Sequence, residues 1–238
     1  MSLVQTVDRL IEYPESDGKP MGETDLHRDW MVRILEILRY RYRAERVYVA
    51  SDLIVYYEEG DPTRSVVPDD FVVKDCDPGR RRTFKTWEEG KVPDVVFEVT
   101  SRGSRREDQI WKPQIYAQLG IDEYFLYDPT SEYLDPPLQG FRLAKSGYRR
   151  IKPNKEDLLE CRALGITLGL AGELVFRDLL TGAVLVPQAE AERAAREQAE
   201  AARERAEARS AAAEARVAEL EAEIKRLRRQ LKGQRGGA

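Results

Sequence analysis

The chain changes character abruptly after Pro187. From Gln188 onward it is Ala, Glu and Arg with almost nothing else, and neither Pro nor Gly interrupts it before Gly233. These are strong helix formers without a breaker, so the run predicts one continuous helix, about 65 Å long at 1.5 Å per residue. In its last third Val217, Leu220, Ile224, Leu227 and Leu231 follow the alternating three-four spacing of a coiled-coil seam, while the earlier seam positions hold Ala213, Ser210, Ala206 and Arg203. The sequence thus predicts a domain over 1–187 and a coiled-coil helix over 188–238 that self-associates, most firmly near its end, with a homodimer as the expected assembly.

With the tail set aside, the rest of the 238 residues make one domain of ordinary size with a real core. The formal net charge is −4, so the chain as a whole does not advertise binding to a polyanion, and any basic surface must be local. No stretch approaches the roughly 18 apolar residues of a membrane span, and the start lacks a basic segment followed by an apolar one. A cytoplasmic protein with no membrane partner is expected. Cys76 and Cys161 lie far apart without a histidine cluster, which argues against a zinc site or a disulfide framework.

The first 187 residues read as mixed α/β. Thr24 or Asp25 can cap a helix in which Trp30, Ile34 and Leu38 recur at helical spacing, ending before the Arg-Tyr-Arg run around Tyr42. His27, the only histidine, reads as a residue of that helix's polar face. The run RVYVASDLIVYYEEG alternates as one strand, a second strand covers 68–73, residues 75–92 read as a loop, and PDVVFEVTS is a third strand. Ser104 with Glu107 three residues on gives a capping-box signature for a second helix running to Gly120. EYFLYD is a fourth strand, and the remainder reads as hairpins covering a sheet edge.

Chemistry concentrates in the third strand. Alternation puts Val95, Phe97 and Val99 on one face and Asp94, Val96, Glu98 and Thr100 on the other, so two carboxylates share a face. An unpaired buried carboxylate costs several kcal/mol, and a divalent cation is one reason for a central strand to carry such acids. The second strand offers Asp69 and Asp70 after Pro68. If the two strands pair, one of these aspartates and Glu98 form an oxygen-ligand site suited to Mg²⁺ or Mn²⁺.

The string VPDVVFEVTSRGSRREDQIWKPQIYAQLGIDEYFLYDP, with Pro68-Asp69 before it, resembles the core of the Uma2 family of endonucleases, a branch of the restriction-endonuclease-like PD-(D/E)XK superfamily. The resemblance spans roughly residues 24–178 and rests on Pro68-Asp69, Pro93-Asp94, Glu98 through Ser101, Asp108, Lys112 with Tyr116, and Gly120 through Tyr124 leading to Asp128-Pro129. It implies an α/β, restriction-endonuclease-like core with a mixed central β-sheet flanked by helices, and hydrolysis of DNA with Mg²⁺ or Mn²⁺. It also implies that Asp69 and Glu98 are the metal ligands, with Asp94 counted among the catalytic acids. The lysine two residues after the glutamate in the wider superfamily is Thr100 here, and Lys112 on the following helix matches the family's lysine. That lysine would orient or deprotonate the attacking water and offset charge on the phosphate. Pro113 departs from the pattern, because proline inside a helix disturbs the residue before it.

Arg102, Arg105 and Arg106 are the candidate phosphate contacts, with Arg80, Arg81 and Arg82 in a second basic loop. Two rival readings belong to other classes: an inactive nucleic-acid-binding module on the same fold, and an assembly protein whose working part is the helical tail.

Overall fold

The computed structural model describes residues 11–16 and 24–235, so the start of the chain, which carries the reading of the N-terminus, lies outside the described residues. The chain divides into two compact units after Gln188. Among the described residues no helix is long and apolar enough to cross a membrane.

Helix α1 (Asp25–Arg41) starts at a cap, with Thr24 Oγ1 accepting from the His27 amide at 3.3 Å. The run expected as one strand is two, β1 (Val47–Ser51) and β2 (Val55–Tyr56), and they belong to different sheets. The break falls at Asp52, whose φ of 49° lies in the left-handed region that aspartate tolerates better than most residues. After β3 (Ser65–Val66), β4 spans Asp70–Lys74. It begins two residues beyond Pro68, which has no N–H for a ladder. The segment 75–92, expected as a loop, contains β5 (Phe84–Lys85) and the single turn α2 (Thr86–Glu89).

The third expected strand is β6 (Val95–Val99). It is followed by a π turn (Glu107–Trp111) running straight into α3 (Lys112–Leu119), and then by β7 (Glu123–Tyr127). The hairpin β8 (Leu138–Ala144) and β9 (Gly147–Arg150) pairs with β7, as expected of edge material. The later strands do not cover that edge. β10 (Leu159–Cys161), β11 (Ile166–Ala171), β12 (Glu173–Asp178) and β13 (Val184–Leu185) form a separate four-stranded antiparallel sheet. Helix α4 covers Gln188–Arg235.

The main sheet has the order β1-β4-β6-β7-β8-β9 and is mixed: β6 and β7 are parallel, and the other pairs antiparallel. A parallel pair needs a crossover, and the π turn with α3 supplies it. Both faces of the sheet are covered, so β6 is buried at every position. On one face Val72, Val95, Phe97, Val99 and Phe125 pack with Trp30, Ile34 and Leu38 of α1 and with Leu168 and Phe176 of the four-stranded sheet. On the other, Phe71, Val96 and Leu126 pack with Tyr116 of α3 and with Val55 and Phe84 of the small sheet β3-β2-β5. The expected alternation of β6 is therefore the one observed, in a central strand instead of a half-solvated edge.

Candidate active site

The antiparallel register of β4 on β6 places Asp70 opposite Phe97, so Asp69 falls opposite Glu98 at the end of both strands. Alternation then separates the two neighbouring aspartates. Asp69 shares with Phe71 and Val73 the sheet face that bears α3, whereas Asp70 shares with Val72 the face that bears α1. Asp69 is thus on the Glu98 side. Its backbone N–H donates to Glu98 Oε2 at 3.4 Å, and its own Oδ2 accepts from the Val99 amide at 2.7 Å and lies 3.1 Å from His27 Nε2.

From α3, Lys112 Nζ reaches Glu98 Oε2 at 2.6 Å and Asp108 Oδ1 at 3.1 Å, and the Tyr116 hydroxyl donates to Glu98 Oε1. The Lys112 contact to Asp108 is an ion pair without hydrogen-bond alignment, and neither Asp108 oxygen makes a well-aligned hydrogen bond among the described residues, although Ser104 and Lys112 both act to lower its pKa. Asp108, Lys112 and Tyr116 follow one another at intervals of four, so a single stripe of the helix faces the site, and all three are buried.

Three buried carboxylates thus share one buried ammonium. Burial pushes Glu98 well above the usual carboxylate range against the pull of Lys112, and pushes Asp108 up for the same reason. Burial also acts to raise Asp69, but Lys112 and His27 outweigh it and hold that carboxyl low. For Lys112, burial favours the neutral amine, yet Glu98, Asp69 and Asp108 together hold the proton on more firmly than usual. The three carboxylates thus favour the charged form of Lys112.

The position of Lys112 depends on an irregularity. Its N–H bonds to the Glu107 carbonyl five residues back, and Lys112 remains in the right-handed helical region although Pro113 follows it. The π turn takes up one extra residue where proline removes a donor, so the helix neither stops nor restarts there. The cap of this segment is also not the expected one. Ser101 Oγ accepts from the Ser104 amide at 3.3 Å, Ser104 Oγ accepts from the Ser101 amide at 3.1 Å, and the Arg105 amide donates to the Ser101 carbonyl. The reciprocal box is therefore Ser101 with Ser104, one turn before the Ser104–Glu107 pair.

Asp94 does not join the cluster. It precedes the other end of β6, where its Oδ2 accepts from the Lys74 amide at 2.7 Å and ties two strands together. His27, expected on a polar face, is buried on the same stripe as Met31, Ile34 and Leu38. Its spacing of four residues to Met31 and seven to Ile34 was the signal for that placement. Asp108 and Tyr116 figured only as pieces of a motif. Thr100, two residues beyond Glu98 on the same face, is buried with a hydroxyl that makes no hydrogen bond among the described residues. Arg102, Arg105 and Arg106 are exposed on the approach to the π turn. In the other basic loop, Arg81 is locked to Glu89 at 2.5 Å and to the carbonyls of Asp77 and Gly79.

A divalent cation was expected here, and the donors suit one in kind: they are hard carboxylate oxygens in excess of local positive charge, with Asp108 short of donors. Among the described residues no three or more His, Cys, Asp or Glu side chains converge to hold an ion. An ion held by one or two carboxylates would complete its shell with water and phosphate oxygens, as Mg²⁺ commonly does.

Asp69 and Glu98 thus stand side by side at the ends of two adjacent strands, with Lys112 of the following helix on Glu98, in a mixed sheet flanked by helices. The chain belongs to the Uma2 family, whose model, described as "Putative restriction endonuclease", matches residues 8–171. Among solved structures, "a putative nuclease belonging to DUF820" from Anabaena variabilis is similar at 16% identity and a TM-score of 0.45, over 61% of this chain and 76% of that one. No curated protein matches the chain.

Proposed function

We propose that the chain is a Mg²⁺- or Mn²⁺-dependent endonuclease that hydrolyses DNA phosphodiester bonds, with Asp69 and Glu98 as the ion's ligands. The observation that carries this reading is the buried lysine among three carboxylates at the end of β4 and β6, in a chain of this family. A bound divalent cation supplies Lewis acidity toward the phosphate and makes water easier to deprotonate. The remaining work falls to side chains. Lys112, whose proton the surrounding carboxylates favour, orients the water and offsets charge that develops on the phosphoryl oxygens. Tyr116 and the Asp69 amide fix the Glu98 carboxylate, while His27 and the Val99 amide fix Asp69. Arg102, Arg105 and Arg106 meet the backbone of the nucleic acid.

One observation favours the inactive binding module instead, since both Glu98 oxygens already accept from Lys112 and Tyr116. A cleavage assay on plasmid and single-stranded DNA with either ion separates the two. The parent is expected to cut, and Glu98→Gln to cut at least about 100-fold more slowly with its fold intact, because the amide keeps the shape but not the charge. Equal cleavage by both proteins sinks the catalytic assignment, and binding without cleavage by the parent establishes the second reading.

A further inference from the structure

The π turn that carries Lys112 inward also carries Ile110 and Trp111 outward. Trp111 is 67% exposed and Ile110 46%, whereas Asp108 and Lys112 are buried. Apolar side chains exposed beside a charged site mark a contact surface, and an exposed indole offers a large flat face to whatever binds there. Among the described residues Arg102, Arg105 and Arg106 form no ion pair, and all three are exposed within nine residues of Trp111. The same short segment therefore presents three free cations, an indole in water and, one residue on, the buried lysine.

We infer that Trp111 stacks on an unpaired base of a DNA strand whose backbone lies along Arg102, Arg105 and Arg106, so that the substrate is single-stranded or locally unpaired DNA. This rests on the nuclease reading of the Lys112 site. Trp111 directly precedes Lys112 in the chain, so a strand that lies along the three arginines runs past the indole on the outside of the segment that supplies the buried lysine. Within a duplex each base face is covered by its neighbours, and a side chain gains access only by unstacking them, whereas an unpaired base offers its face freely.

The test titrates the full chain, in Ca²⁺, with a short fluorescent oligothymidylate and with a hairpin duplex of the same length. The parent is expected to bind the single strand more tightly. Trp111→Ala should weaken single-strand binding by roughly 5- to 150-fold, the equivalent of about 1–3 kcal/mol of stacking, and duplex binding by less than about 2-fold. Trp111→Phe should retain most of the affinity, and Arg106→Ala should weaken both substrates alike. Circular dichroism verifies that each variant folds, as substitution of exposed residues should allow. Equal loss on both substrates, or no loss, in Trp111→Ala overturns the inference while leaving the nuclease reading in place if the parent still cuts DNA with Mg²⁺ or Mn²⁺. A parent that neither binds nor cuts any DNA overturns both.

Discussion

Asp70 is fully buried beside Asp69 but on the opposite sheet face, and its carboxylate makes no well-aligned hydrogen bond among the described residues, with the Ser51 hydroxyl acting on it only weakly. Burial, with Asp69 adding repulsion, raises it well above the ordinary aspartate value of 3.8. The folded state therefore binds a proton that the unfolded chain releases, so this group's contribution is greatest at low pH and is lost as pH climbs through the raised value. Asp70→Asn, measured in EDTA, should flatten that slope, because a neutral amide has no proton to lose, and the variant should gain stability relative to the parent as pH rises. Thermal melts of parent and variant across the acid range decide it, and a variant less stable at pH 7 would mean that Asp70 has a partner worth keeping. Lys112 is a different case, for it is the cation shared by Glu98 and Asp108. Removing one partner of a buried pair strands the other, which makes Glu98→Gln a cleaner probe of the chemistry than Lys112→Ala.

Among the elements, the π turn ties sequence most closely to site. Pro113→Ala restores an N–H where the chain has none, and the five-residue turn should relax toward regular α-helix. Lys112 would then shift away from Glu98. Turnover is expected to fall by about ten- to 100-fold with thermal stability unchanged or higher, because misplacing a catalytic group by about an ångström has effects of that size. Turnover equal to the parent's would mean that the proline does not set the turn. This region also bounds what could be read in advance. Periodicity sufficed for α1 and β6, where Trp30, Ile34 and Leu38 or Val95, Phe97 and Val99 occupy one face over several repeats. It failed where a single residue redirects the chain, at Asp52 between β1 and β2, and where a strand such as β5 has only two residues. For the site, the residues alone left Asp69 and Asp70 open and only the Pro-Asp resemblance named Asp69; that Asp69 stands opposite Glu98 is a matter of strand register, which no short-range pattern supplies. The ties of His27 to Asp69 and of Asp94 to the Lys74 amide are contacts of the same long-range kind.

At the scale of the whole molecule, α4 is mostly a solvated helix laced with pairs such as Arg203 with Glu207 and Arg216 with Glu219, which contribute little individually. Val217, Leu220 and Ile224 are exposed along it, while the side chains of Leu227 and Leu231 lie outside the described residues. We propose that a second copy covers this stripe. The full chain should scatter light as a dimer or larger at tens of micromolar, and residues 1–187 should remain folded with weaker association. A monomeric full chain would assign the stripe to another partner. The placement of one buried cation among acids drawn from separate elements also bears on how the protein is made. Synthesis delivers Asp69 first, Glu98 next and Lys112 after both, so a nascent β4–β6 hairpin carries carboxylates that still need water. Until the helix bearing Lys112 has left the ribosome, closing that end of the sheet would strand negative charge away from solvent. The acidic end of the β4–β6 pair therefore seals only after its own strands are complete and the helix that follows them has emerged.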